Sequence, residues 1–227
     1  MLILDNTVGE IIEMVGSLNG SVDEECVIRD AFHVIFNTCR PPYGGMEQDK
    51  FGQLCDVFVR MKTEQLAKCE KSRDEYGNLV FFLDEFISSA DYVMRKSGVE
   101  ISFSCSQEDI FCQCCLEHIY YVCSSIIRSA VNNGGKHIAL RLIKVCDSVC
   151  IIFTCDGMWS DEARMYADRF ASVYDGTILT SKGGDAFQLS VKISPDCEPG
   201  DNIALYDTDF IYDCMSPVYI GLGVMMR

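Results

Sequence analysis

The chain has 227 residues, 48% apolar and 23% charged, and its 34 acids against 19 bases give a formal net charge of −15. That is enough apolar sequence for one or two buried cores and too much for a disordered chain. The charge excludes the basic surface that nucleic-acid binding needs, and no unbroken apolar run of ~18 residues predicts a membrane-spanning helix.

The opening stretch, with Asp5 and Glu10 and no basic segment, speaks against a signal peptide and for a cytoplasmic protein. Ser21 and Glu24 form a capping box before Cys26, Val27, Ala31, Phe32 and Ile35, which predicts a helix ending before Arg40-Pro41-Pro42. A second helix is predicted from Glu47 to Asp74, its apolar face marked by Phe51, Leu54, Cys55, Phe58, Met61 and Leu66. After a break near Tyr76-Gly77, a third carries Leu79, Phe82, Leu83, Phe86, Ile87, Ala90 and Val93 to about Lys96. Residues 1–97 thus read as a helical hairpin or bundle.

From Val99 the period changes. Val99 to Phe103 alternates as a strand, and Ser106 and Asp109 are read as the start of a long helix stopped by Asn133-Gly134-Gly135. Two strands follow, His137 to Ile143 and Ser148 to Thr154. Ser160-Asp161-Glu162 opens a helix that closes at Gly176, and Lys182-Gly183-Gly184-Asp185 joins the last two strands, Thr177 to Ser181 and Ala186 to Ile193. The order β-α-β-β-α-β-β over 98–193 predicts an α+β chain, with helices on one face of a mostly antiparallel sheet. In the extension 194–227, Ser216 to Val224 reads as an added strand.

Fourteen cysteines suggest disulfides, but many sit among apolar neighbours inside predicted elements, the pattern of reduced, buried thiols. Cys112-Gln113-Cys114-Cys115 with His118 is half of a metal site at most; lacking a second ligand pair, it reads as a cysteine-rich helix face and no metal is predicted.

Two segments, taken in order, carry a family resemblance. Ile126 to Gly135 is similar to the asparagine-bearing helix, and Tyr174 to Val191 to the closing helix, glycine, strand, turn and strand, of the ATP-binding domain of bacterial sensor histidine kinases. The segment 98–193 therefore resembles a two-layer histidine kinase-like ATPase sandwich. The preceding helices resemble, more loosely, the dimerisation and phosphotransfer hairpin of the same kinases.

The resemblance implies a nucleotide site, and this sequence departs from it at each matching position. Ser125 and Ser129 stand where the family presents asparagines, one of them a Mg²⁺ ligand, and a hydroxyl is the weaker donor to a hard cation. In Cys155-Asp156-Gly157-Met158-Trp159, with Gly157 in register, Cys155 replaces the adenine-reading Asp and Trp159 a glycine. A slip of one residue would let Asp156 serve but would lose the glycine register. Ser160 starts the next helix at once, leaving no residues for the family's glycine-rich lid. ATP and Mg²⁺ are therefore expected to be lost, and no cofactor is predicted.

The implied role is two-component-type signalling in a homodimer, as a pseudokinase scaffold or a histidine phosphotransferase, with a response regulator or partner kinase as partner. The alternative is an ATP-binding kinase with an atypical nucleotide site. For phosphotransfer, His33 is the candidate phosphoacceptor, in a segment faintly similar to the kinase motif but with Val34 where an acid normally follows. Its apolar neighbours equally suit a histidine tucked against a helix. For scaffolding, Phe51, Leu54, Phe58, Leu79, Phe82 and Phe86 would form the dimer face, or else simply core.

Overall fold

The computed structural model describes residues 74–183 and 186–193 (the backbone alone for 186–189), together with 55, 58, 59, 62, 195, 210 and 216–222. The first predicted helix, His33, Phe51 and Leu54 lie outside the described residues. In chain order come β1 (Glu75–Asn78), α1 (Leu79–Met94), β2 (Glu100–Cys105), β3 (Phe111–Cys114), α2 (Leu116–Asn132), β4 (His137–Val145) and β5 (Ser148–Cys155). They are followed by α3 (Asp161–Val173), β6 (Thr177–Gly183), β7 (Ala186–Ile193) and α4 (Pro217–Leu222).

Five strands form one sheet in the order β2-β4-β5-β7-β6, parallel at β2–β4 and antiparallel elsewhere. Alternation explains how it packs. Ile138, Leu140 and Leu142 of β4, Val149, Ile151 and Phe153 of β5, and Val191 and Ile193 of β7 are buried in one cluster with residues of α1, α2 and α3. This is the two-layer α+β sandwich that the pattern predicts, with one face of the sheet under helices.

α1 keeps its predicted stripe, and every member of that stripe is buried. Its start is set by Asn78, whose side-chain oxygen accepts from the Val80 and Ile110 amides. Leu79, Phe82, Phe86 and Phe58 are 0–2% exposed within the single chain. They are core, so the described members of the proposed dimer face cannot serve as one. Cys55, Phe58, Val59 and Lys62, all from the second predicted helix, are helical and buried. Lys62 Nζ pairs with Glu117 Oε1 at 2.8 Å, and the Phe58 ring lies 6.3 Å from that of Tyr121, which sets these residues against α2.

Three local readings change. The break at Tyr76-Gly77 is the strand β1, paired antiparallel with β3. Asp109 does not open a helix; its Oδ1 accepts from the Asn78 side-chain Nδ2, and the chain runs extended through Phe111–Cys114 before α2 begins at Leu116. Cys112 and Cys114 are thus on a strand, with sulfurs 3.6 Å apart and buried, and no cluster of three metal-ligating side chains occurs among the described residues. The expected final strand is the helix α4. Ser216 accepts from the Tyr219 amide and Pro217 takes the first helical position, a start signal that the apolar run after it obscures. α4 lies on α2, where Ser124 Oγ donates to the Pro217 carbonyl at 2.9 Å.

Two buried polar groups yield predictions. Tyr174 Oη donates to Asp74 Oδ1 at 2.9 Å and accepts from the Cys115 amide at 2.7 Å, tying the segment before the sandwich to the end of α3 and the start of α2. Tyr174→Phe leaves that buried amide unsatisfied, so we expect a loss of about 1–3 kcal/mol, read by calorimetry as a lower Tm. His118 is 1% exposed and edge-on to Phe170, and neither ring nitrogen has a hydrogen-bond partner among the described residues. Burial holds its pKa down at about 4, against 6.5 for the free side chain. Between these values the unfolded chain binds a proton that the folded chain does not. Stability from this group is therefore full above about pH 6.5 and falls by up to about 1.4 kcal/mol per pH unit as pH drops toward 4. Urea denaturation at pH 7 and pH 5 should show this loss, reduced in His118→Leu.

Candidate functional site

The sequence-predicted positions converge where the C-terminal half of α2 meets the loop after β5. α2 ends on Gly134, at φ +88°, a left-handed value that an L side chain rarely adopts, and the Gly135 amide turns back to the Ala130 carbonyl at 2.9 Å. Against this turn lies Gly157. A Cβ there would fall 2.6 Å from the Gly135 nitrogen and 3.0 Å from the Ala130 oxygen, so the loop backbone and the helix end are in contact.

Ser125 and Ser129 of α2 are both buried, and both hydroxyls are engaged. Ser125 Oγ donates to the Tyr121 carbonyl one turn back, at 2.8 Å. Ser129 Oγ accepts from the Ser160 amide at 2.6 Å. Ser160 also caps α3, its own hydroxyl accepting from the Ala163 amide at 3.1 Å. One residue therefore ends the loop, opens the helix and fastens both to α2. Residues 156–160 span the whole distance from β5 to α3.

Trp159 is 5% exposed and meets Phe153 edge-on, 6.5 Å between centroids. Its indole nitrogen has no hydrogen-bond partner among the described residues. Cys155 faces the helices at the end of β5, and its thiol donates to the Gly157 carbonyl at 3.3 Å. Burial pushes that thiol up, with the Gly157 hydrogen bond opposing.

Asp156 points elsewhere. Its Oδ1 accepts from the amides of Lys136 and His137, at 2.7 and 3.0 Å, fixing the start of β4. Desolvation acts to raise its pKa, but these hydrogen bonds outweigh that and hold the carboxyl below its ordinary value. So Ser129, Cys155, Gly157 and Trp159 come together, Ser125 lies one turn away, and Asp156 belongs to the opposite side of the loop. A cavity of about 500 Å³ opens on that side, lined by Arg95, Glu100, Ser102, His137, Thr154 and Asp156 among others; of the predicted cluster Cys155 also reaches it, while Ser125, Ser129, Gly157 and Trp159 do not.

No protein-family model matches the chain, and no curated protein is significantly similar to it in sequence. Solved structures are similar in fold. Full-length ShkA, in complex with AMPPNP, superposes at a TM-score of 0.57 with 10% identity, over 87% of this chain and 46% of that one. The Acinetobacter baumannii histidine kinase AdeS superposes at 0.50 with 12% identity, over 75% of this chain and 94% of its own. The chain has the histidine kinase-type ATPase fold. It spans less than half of ShkA, and at such identities the likeness is one of fold alone. No described helix is long and apolar enough to cross a membrane.

Gly157 tests the contact between the loop and the end of α2. In Gly157→Ala the new methyl meets backbone that cannot yield cheaply. Overpacking of this kind costs about 1–3 kcal/mol, so calorimetry should show a Tm several degrees lower, at about 2–4 °C per kcal/mol. An unchanged midpoint would mean that the loop does not rest on the end of α2.

Proposed function

We propose that the chain is a two-component-type signalling module that has given up ATP. On this reading it is a degenerate histidine kinase-like protein acting in a cytoplasmic homodimer, as a phosphotransfer intermediate or a pseudokinase scaffold. The observation that carries the reading is the hydrogen bond from the Ser160 amide to Ser129 Oγ. It draws the start of α3 onto the helix that, in kinases of this fold, faces the nucleotide phosphates.

The residues present do not suit Mg²⁺·ATP. The two positions resembling the family's asparagines carry hydroxyls already committed to Tyr121 and Ser160. The position of the adenine-reading carboxylate carries a buried thiol, a weak acceptor for an exocyclic amine. Trp159 fills space that a glycine would leave open. A phosphoryl group, or a signal without one, would then come from another protein, a response regulator or a partner kinase. His33 remains the candidate acceptor within the helical region. With Leu79, Phe82 and Phe86 in the core, the homodimer would form through other helical surface.

Parallel incubations test this. γ-Labelled ATP with Mg²⁺ should leave the protein unlabelled. A response-regulator receiver domain bearing a labelled aspartyl phosphate should either pass label to it, the phosphotransfer outcome, or bind it stably without transfer, the scaffold outcome. Autophosphorylation from ATP would contradict the reading and restore the alternative of an active kinase with an atypical site.

A further inference from the structure

His137 differs from His118 in every respect that matters for chemistry. It opens β4 directly opposite Glu100 in the parallel pairing with β2, and its Nδ1 lies 3.4 Å from Glu100 Oε2. Its side chain is 71% exposed, whereas both nitrogens of His118 are buried. The backbone beneath it is held in place by the double acceptance of Asp156 from the Lys136 and His137 amides.

A histidine that accepts a phosphoryl group must be neutral, with one ring nitrogen presenting its lone pair to the donor. A carboxylate beside the other nitrogen selects that tautomer and holds the ring. Glu100 beside Nδ1 leaves Nε2 as the nucleophile.

The cavity at this end of the sheet supplies the rest. Arg95, Ser102 and Thr154 line it together with His137. Among the described residues Arg95 is engaged through Nε, to Asp91 at 2.7 Å, and its terminal N–H groups are donors suited to phosphoryl oxygens. Three carboxylates also line the cavity, each engaged, with Glu100 facing His137. Asp91 accepts from Arg95 and from the Ile101 amide, and Asp156 from its two amides.

We propose that His137 is a phosphoacceptor site, exchanging a phosphoryl group with an aspartyl phosphate on a partner protein; this rests on the reading above, that the chain handles phosphoryl groups without ATP. The Nε2 lone pair attacks phosphorus and a P–N bond forms. The P–O bond to the bridging oxygen of the aspartyl carboxyl group breaks, and the aspartate leaves as carboxylate. The proton on Nδ1 stays, giving a phosphoimidazolium whose positive charge faces Glu100. The reverse sequence returns the group to an aspartate. Glu100 acts here as a positioning residue.

The full chain, incubated with an aspartyl-phosphorylated receiver domain and separately with phosphoramidate, should carry one phosphoryl group on His137, located by mass spectrometry under alkaline conditions. The label should be lost in His137→Gln, an exposed and fold-neutral change, and kept in His33→Gln. Glu100→Gln should slow transfer by about tenfold and shift the ¹⁵N resonances of the His137 ring away from the Nδ1–H tautomer, with Glu100→Asp restoring part of each. Label on His33 alone would overturn this site and leave the phosphotransfer reading standing. Label from phosphoramidate but never from the receiver would mark His137 as a merely reactive surface histidine and overturn the proposal. No label on any histidine would overturn both the site and phosphotransfer.

Discussion

The hydrogen bond between the Ser160 amide and Ser129 Oγ, 2.6 Å long and largely screened from water, fixes the distance between α2 and α3 on which the helical layer is built. It consumes the first free amide of α3, a group that at a helix start would otherwise be available to an anion. With that amide tied to α2, the loop of 156–160 has one course open to it: Gly157 against the end of α2 and Trp159 inward onto Phe153. The closure is thus a packing consequence of one short connection, and each part supports the others. Gly157 permits the approach, the Ser160 cap holds the helix, and Trp159 occupies the space beneath.

The remainder of the chain is arranged around the same helix. The side of α2 that carries Ser124 receives α4, whose Gly221 approaches Ser124 so closely that a Cβ would sit 2.3 Å from the serine Cβ. Its aromatic side stacks Tyr120 on Phe86 of α1, with Phe210 edge-on to both. Its N-terminal end meets Lys62 through Glu117 and Tyr174 through the Cys115 amide. Of this pair Lys62 is buried and Glu117 half-buried, so loss of Glu117 is the costlier change, since the ammonium left behind stays desolvated. α2 therefore links the segment before the sandwich, the sheet and the C-terminal region in one core.

Where period and punctuation agree, the fold is legible in the sequence. The alternation of β4 and β5, the glycine stop of α2, the Ser160 cap and the stripe of α1 all appear where the pattern puts them. The failures have physical causes. β1 and β3 are four residues each, too short for a period to show, and Ser106 and Asp109 imitate a helix cap although Asp109 is the partner of Asn78. The final apolar run reads as a strand because its helix is only six residues long; Ser216-Pro217 was the signal that mattered. Of the candidate site, the residue types at Ser125, Ser129, Cys155 and Trp159 were readable. Their mutual engagement was not, since the Ser129–Ser160 bond joins residues 31 apart. The pairing of His137 with Glu100 was equally hidden, because it depends on the register of a parallel crossover. The alternation that turns Ile138, Leu140 and Leu142 inward turns His137 outward.

The most direct test of the central claim, that short-loop closure leaves no place for nucleotide, is thermal unfolding with and without millimolar ATP and Mg²⁺. A ligand at about 100 times its dissociation constant adds roughly 2.7 kcal/mol, which in a chain of this size raises the midpoint by about 5–11 °C. The account predicts no shift. A clear, Mg²⁺-dependent rise would contradict it, for it would show that Ser160 can release Ser129 and that Trp159 can yield its place.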